Sequence, residues 1–291
     1  MKLRVPFHKV QSVGNDFVLV EEADFSGDWH ELARRASSRH FGIGSDGLLT
    51  VKMVDGTLAI RMFNPDGTED FCGNGIRCCL LYAFRHGWIS ERASAFHGGE
   101  VIEANVIRDP LAPSDPLLRF TLPAATYDPA MVPTTASREI FDQPISTVID
   151  LDFPGPVITG QTRGSLLSTG STHMIVWVSQ LPDEDEFLSI APALENAPIF
   201  PQRTSVMFTQ VVTTDELRMR IWERGAGETF GCGTGSTAAA VDYLRLAGRG
   251  GEVLVHNPGG DLMISATEWD RPVTVSGKAD ILFQGTYYFA G

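Results

Sequence analysis

Cys72 and Cys232 each open a Cys-Gly-polar-Gly turn, Cys72-Gly73-Asn74-Gly75 and Cys232-Gly233-Thr234-Gly235, and each has a further glycine five residues ahead of it. The cysteines stand 160 residues apart in the 291-residue chain. A glycine-rich turn at a helix start aims backbone N–H groups at an anion. The positive end of the helix also lowers the pKa of a cysteine placed there, which raises its thiolate fraction. Two such units facing each other would hold one carboxylate between two helix starts, with a sulfur on either side of the α-carbon. One thiolate would take the α-proton while the opposite thiol returned a proton to the other face. That is stereoinversion by two bases.

The flanking elements repeat as well. Alternating apolar residues predict a strand before each cysteine, through Leu58, Ile60 and Met62 in one case and Leu217, Met219 and Ile221 in the other. Helices are predicted after them, from Ile76 to Trp88 and from Ser236 to Leu246. Earlier in each half a glycine turn leads into a strand: Gly14-Asn15-Asp16 before Phe17–Val20, and Gly170-Ser171-Thr172-His173 before Met174–Val178. Further helices are predicted over Trp29–His40, stopped near Gly42, and over Phe187–Leu194. Strands are expected at 48–52, 57–63, 205–213 and 216–222, as short alternating stretches through 94–122, and late at 252–256, 261–265 and 273–288. A repeat of this length is too long for a solenoid unit and predicts two similar domains with a cleft where they meet. The proline-rich stretch 110–133 carries the expected crossing.

Composition narrows the chemistry. Hydrophobic residues make up 43% of the chain, ordinary for a globular protein, and the formal net charge of −13 argues against nucleic acid as a partner. The first residues, Met1 to Lys9, lack the apolar core of a signal peptide, and no apolar run approaches a membrane span. The expectation is a cytoplasmic protein with no membrane partner and with reduced thiols.

Each candidate also has a plain structural reading. A lone cysteine is usually a small buried hydrophobe, but the matched placement of Cys72 and Cys232 argues against both being inert. Cys78 and Cys79 fall inside the first helix and read as core. Together with Cys72 they lack the spacing of a zinc site, so no metal is expected. Glu223, Arg224 and Glu228 surround the second cysteine, either as a solvated loop or with Arg224 clamping a carboxylate bidentately. Asn64 and Arg224 each stand eight residues ahead of their cysteine and should face the same cleft. His173 reads as a site residue or as a satisfied structural histidine, and Asn15 as a ligand or a turn former. No cofactor is expected, since the lysines (Lys2, Lys9, Lys52 and Lys278) do not sit beside a phosphate-binding loop as a pyridoxal site requires.

These motifs resemble those of the diaminopimelate epimerase family along nearly the whole chain: Gly14-Asn15-Asp16-Phe17, Phe63-Asn64, Cys72 through Cys78, Glu223 through Thr229, Cys232 through Gly235, and Pro258-Gly259-Gly260. The resemblance implies an α+β / α/β fold of two pseudo-symmetric domains, each a strand-rich shell or barrel around a central helix, with the active site in the interdomain cleft. It places an N-terminal domain at 1–124 with a returning strand at 279–291, and a C-terminal domain at 125–278. It implies a cofactor-independent racemase and a homodimer. Cys72 and Cys232 would be the acid/base thiols, with Glu223 and His173 close to the reacting centre. Gly73, Asn74, Gly233 and Thr234 would bind the α-carboxylate through backbone N–H groups. Asn15, Asn64, Glu223 and Arg224 would hold the amino group and distal part of an amino-acid substrate.

Two departures bear on specificity. The family usually has Gly-Asn-Pro-His where Gly170-Ser171-Thr172-His173 stands, and an asparagine at the position of Ser205. A serine is shorter and offers one hydroxyl instead of an amide. The resemblance implies LL- to meso-diaminopimelate as the reaction, while these departures alter the distal pocket. The alternatives are racemisation of another α-amino acid suited to Ser171 and Ser205, a non-catalytic amino-acid-binding protein, and proton transfer on a carbon acid lacking an amino group. The last would leave Glu223 without an ammonium partner.

Overall fold

A computed structural model describes residues 3–109, 112–151, 153 and 155–289. In chain order the elements are β1 (Leu3–Ser12), β2 (Asn15–Glu21), α1 (Trp29–Ser37), β3 (Gly47–Val54), β4 (Thr57–Phe63), α2 (Gly73–Arg85), β5 (Arg92–His97), β6 (Glu100–Asp109) and β7 (Ala112–Leu122). They continue with β8 (Gln143–Pro144), β9 (Arg163–Ser168), β10 (Thr172–Trp177), α3 (Glu184–Glu195), β11 (Ser205–Thr213), β12 (Glu216–Glu223) and β13 (Gly227–Thr229). The last are α4 (Gly233–Leu246), β14 (Gly251–Asn257), β15 (Gly260–Ala266), β16 (Val273–Gly277) and β17 (Asp280–Phe289). The expected long strand 273–288 is thus two strands. The chain divides into one unit of Met1–Thr121 with Ser276–Gly291 and another of Leu122–Val275.

In the first unit β1 pairs antiparallel with both β17 and β2. From there β2 runs parallel to β3, β3 antiparallel to β4, β4 parallel to β5, and β5–β6–β7 antiparallel. Each parallel step needs a crossover, and α1 and α2 supply the two. The second unit repeats the scheme. There β9 pairs antiparallel with β8 and β10, β10 runs parallel to β11, and β11 antiparallel to β12. Next β12 runs parallel to β14, and β14 antiparallel to β15, with α3 and α4 as the crossovers.

The two helices of each unit differ in kind. In α2 every residue from Gly73 to Ala83 is buried, and the helix touches β1, β2, β3, β4, β6 and β17. Helix α4 is built on small residues, Ala238 to Val241, and touches β9, β10, β11, β14 and β15. Helices buried on most sides against several strands are core elements, so each unit is a shell of strands around one central helix. The outer helices are one-sided. Leu32, Ala33 and Ala36 of α1 pack with Val18, Leu48 and Phe63, while Phe187, Ile190 and Leu194 of α3 pack with Val176, Val206 and Phe208. Each fully buried leucine or phenylalanine contributes about 1.5–3 kcal/mol.

Helix boundaries follow local chemistry. Helix α1 starts at an Asp28 cap, whose carboxylate accepts from the His30 and Glu31 N–H groups. It stops at Ser37, short of the expected His40, because the N–H groups of Ile43 and Gly44 both fold back onto the Ala36 carbonyl. At Gly42 a Cβ would come within 2.0 Å of the Arg35 carbonyl oxygen, so this turn needs a glycine. Helix α3 begins one turn earlier than expected, where the Asp183 carboxylate caps the Glu186 N–H and the acidic run Glu184-Asp185-Glu186 suits a helix start. Among the described residues no helix is long and apolar enough to cross a membrane.

Candidate active site

Both cysteines are N-caps. Cys72 has an extended backbone (φ −143°, ψ 106°), and its Sγ accepts the Gly75 N–H at 3.3 Å. Cys232 repeats this (φ −129°, ψ 111°), its Sγ accepting the Gly235 N–H at 3.4 Å. Glycine at the third helical position lets a neighbouring side chain pack closely in both. A Cβ on Gly75 would meet Leu49 at 2.7 Å, and one on Gly235 would meet Met207 at 2.5 Å. These close approaches seat each helix start on its strand, and the capping N–H is what places the sulfur. Gly73 and Asn74, like Gly233 and Thr234, occupy the first two helical positions, whose N–H groups point out from the helix start.

Around Cys72 the side chains are held in one orientation. The Asn15 Nδ2 donates to Asp46 at 2.8 Å, and Asp46 also takes the Asp16 N–H. Arg39 bridges the Asp16 and Asp46 carboxylates, and buried Lys9 pairs with Asp16. This leaves the Asn15 Oδ1 facing inward, 4.0 Å from the Cys72 Sγ, and accepting from the Asn74 Nδ2 at 3.2 Å. The Asn74 Oδ1 in turn accepts from the buried Arg77, whose Nε donates to Ser12 at 2.8 Å. The Asn74 amide is therefore occupied by the protein, and its backbone N–H is the group suited to a ligand. Asn64, just past β4, bonds within its own loop, its Nδ2 donating to the Thr68 Oγ1 at 3.1 Å.

Around Cys232 a different arrangement appears. Cys232 is 5% exposed, and the Thr234 Oγ1 lies 3.5 Å from its Sγ. The Ser171 hydroxyl donates to the Thr234 Oγ1 at 3.1 Å and sits 2.9 Å from the His173 Nε2. A hydroxyl has one proton to give, so the contacts form a run of donors from the His173 Nε2 through Ser171 and Thr234 to the Cys232 sulfur. The Thr169 hydroxyl donates to the Thr234 carbonyl and steadies the turn. The Glu223 carboxylate accepts from the Thr229 hydroxyl at 2.6 Å and acts on the Cys232 thiol through charge and a hydrogen bond.

A helix start by itself depresses a thiol pKa, and for Cys232 the surroundings reverse this. Burial, reinforced by the Glu223 charge, pushes the thiol well above its ordinary value, against the opposing bonds from Thr234 and the Gly235 N–H. A helix end contributes about 0.3–1 kcal/mol at a typical site, whereas full burial shifts a pKa by up to about 3–5 units. Cys232 rests as a thiol. His173, 1% exposed, is pushed down to about 3 by burial and by the Arg224 charge, so its ring is neutral. Its Nδ1 is buried with no hydrogen-bond partner among the described residues. Cys78 and Cys79 lie wholly buried, with their thiols pushed up by burial.

Ser205 faces His173 across the β10–β11 pairing, and its Oγ accepts the Arg224 backbone N–H at 3.1 Å. The Arg224 guanidinium reaches the Gln202 carbonyl at 3.4 Å. Beneath this loop lies Glu195, a residue that sequence reasoning passes over. It is buried and accepts from Arg203 at 3.1 Å, from the Gly225 N–H at 2.8 Å and from the Trp222 ring at 2.6 Å. The sequence signal was a glutamate at the buried end of a helix, with nothing local to name its partners.

Among the described residues no group of His, Cys, Asp or Glu side chains is placed to hold a metal ion. What the geometry offers is two sulfurs at helix starts, each set among hydrogen-bonding groups.

Known proteins resemble the chain over nearly its whole length. The family model described as diaminopimelate epimerase matches residues 7–109 and 165–282. The diaminopimelate epimerase of Moorella thermoacetica is 36% identical, over 97% of this chain and 98% of its own. That of Methanothermobacter thermautotrophicus is 31% identical, over 96% and 97%. Among solved structures, a hydroxyproline epimerase from Agrobacterium vitis, solved with trans-4-hydroxy-L-proline, aligns with a TM-score of 0.68 at 12% identity. It covers 99% of this chain and 94% of its own. A phenazine biosynthesis protein of the PhzF family from Bacillus anthracis gives 0.68 at 15% identity, over 97% and 98%. At such identities the likeness is one of fold.

Proposed function

The chain belongs to the diaminopimelate epimerase family and is an isomerase of the epimerase type; from that premise we propose that it converts LL-diaminopimelate to the meso form through the thiols of Cys72 and Cys232, with no bound cofactor. The observation that carries this is the matched capping geometry, a sulfur accepting the N–H three residues on at 3.3 Å in one unit and 3.4 Å in the other. One thiolate removes the α-proton, the electron pair passes into the carboxylate as an enediolate, and the other thiol returns a proton to the opposite face. Atoms and charge balance, and the substrate's α-hydrogen is replaced by one from a cysteine. An enediolate carries more charge on its oxygens than the substrate does. Outward N–H groups at Gly73, Asn74, Gly233 and Thr234 would therefore favour the transition state over the ground state.

The resting charges assign first roles. Cys232, held as a thiol by burial and Glu223, is suited to give a proton before it takes one. Neutral His173 donates through Nε2 to Ser171 and places no positive charge beside the thiol. Glu223 and Asn15 would meet the ammonium group, and Asn64 and Arg224 the distal end. Ser171 and Ser205 are already bonded to Thr234 and to the Arg224 backbone, so they add little to distal recognition. That favours a second reading in which another α-amino acid is accepted at the same centre. We further propose a cytoplasmic homodimer supplying lysine and peptidoglycan precursors.

The test is incubation in deuterated water, under reducing conditions, with LL-diaminopimelate and single L-amino acids. Deuterium at the α-carbon of diaminopimelate, together with meso product, is expected. Deuterium in another amino acid alone would transfer the reading to that substrate, and deuterium in none would defeat it.

A further inference from the structure

His97, the last residue of β5, is 2% exposed and is tied directly to the first cysteine. Its Nε2 accepts the backbone N–H of Cys72 at 2.9 Å, and its Nδ1 lies 3.1 Å from the Ile60 carbonyl oxygen. An amide N–H and a carbonyl oxygen are satisfied together by one form of the ring only, the neutral imidazole with its proton on Nδ1. Phe71 stacks on the ring with centroids 5.0 Å apart and planes at 27°. Gly98 follows at φ +60°, and a Cβ there would press to 3.0 Å of Phe71. The ring is thus held on both nitrogens and on one face.

The equivalent place in the second unit is Asn257, which ends β14 and pairs with Gly260 as His97 pairs with Glu100. Asn257 accepts from the Ser236 hydroxyl at 2.9 Å, inside the first turn of α4. The second cysteine helix is therefore anchored past its cap by a group that does not titrate. The first is anchored at the cysteine itself, by one that does.

We propose that His97 is the positioning residue for Cys72, accepting its N–H so that the sulfur is aimed at the Gly75 N–H and the Asn15 side chain. This rests on the reading of Cys72 as an acid/base thiol. The N-cap residue turns its own N–H away from the helix it starts, and a buried N–H left without an acceptor costs about 1–3 kcal/mol. Protonating His97 would set a donor against that donor. The charged groups acting on the ring are Glu69 and Asp70, which favour protonation, and burial outweighs them and lowers its pKa.

The test compares the unaltered protein with His97→Phe, which keeps the stacked ring without the acceptor, and with His97→Gln, which restores an acceptor that does not titrate. The substrate-free readout is alkylation of Cys72 by iodoacetamide against pH, mapped by mass. In His97→Phe the apparent pKa of Cys72 should rise by about one unit, and kcat should fall about tenfold with KM within about threefold, the size expected for one buried hydrogen bond. His97→Gln should return the apparent pKa to within about half a unit and kcat to within about threefold of the unaltered protein, because it supplies the missing acceptor. An unchanged alkylation profile in a folded His97→Phe, or a His97→Gln as impaired as His97→Phe, overturns the proposal. Should His97→Phe not fold, the unaltered protein labelled with 15N-cysteine decides. The Cys72 amide signal should move as His97 titrates, and an amide indifferent to pH overturns the proposal. Failure of the epimerase reading would show separately, as no α-deuterium from the unaltered protein with an intact alkylation profile.

Discussion

The hydroxyl of Ser171 donates to that of Thr234 across 3.1 Å, and so links the β10 strand carrying His173 to the helix start carrying Cys232. The link orients both ends: the His173 Nε2 on one side and the Cys232 sulfur on the other. Removing it by Ser171→Ala should lower kcat by about tenfold with little change in KM, the size expected for one or two buried hydrogen bonds. Steady-state kinetics with purified protein measures this. An unchanged kcat would show that the hydroxyl run is incidental.

The two thiols should be separable. Cys72→Ala and Cys232→Ala should each abolish epimerisation, since either direction needs a proton acceptor and a donor. Elimination of HX from a β-halogenated substrate needs one base only. Cys72→Ser and Cys232→Ser should therefore each retain elimination from one stereoisomer and lose it from the other. Near-normal epimerisation by either alanine variant would sink the two-base account.

Stability should depend on pH through His173. Its folded pKa of about 3 lies below the ordinary 6.5, so an unfolded chain binds the proton that the folded one refuses. The contribution of the neutral ring is complete above pH 6.5 and is lost as pH falls toward 3, at up to about 1.4 kcal/mol per unit. Urea unfolding at pH 7 and pH 5 should show a loss at the lower pH that shrinks in His173→Gln. Equal losses in both proteins would place the titration elsewhere.

Glu195 should act on substrate binding from beneath the surface. Its carboxylate holds Arg203, the Trp222 ring and the Gly225 N–H, and so fixes the turn that carries Arg224. A glutamine keeps one acceptor oxygen and adds donors facing donors. Glu195→Gln should lower Tm and raise KM several-fold more than it lowers kcat, because a buried group left mismatched costs about 1–3 kcal/mol. A lowered kcat at constant KM would contradict this.

What the residues alone determined is what their local spacing controls. A cysteine opening a Gly-polar-Gly turn ahead of a helix-forming run reads as a helix start from the local sequence. The twin repeat and the strand–turn–helix order around each cysteine were therefore legible, although the helical runs were read from Ile76 and Ser236, three residues past their starts at Gly73 and Gly233. The start of α3 was underestimated by one turn because the acidic run reads as surface until Asp183 is seen to cap it. Tertiary structure decided the remainder. His97 reaches Cys72 across 25 residues and Glu195 reaches Gly225 across 30, and no short-range pattern announces either pairing. It also reversed a sign. Local logic lowers the Cys232 pKa, but the degree of burial depends on every strand packed around α4, and desolvation of a buried charge outweighs the partial charge of one helix end.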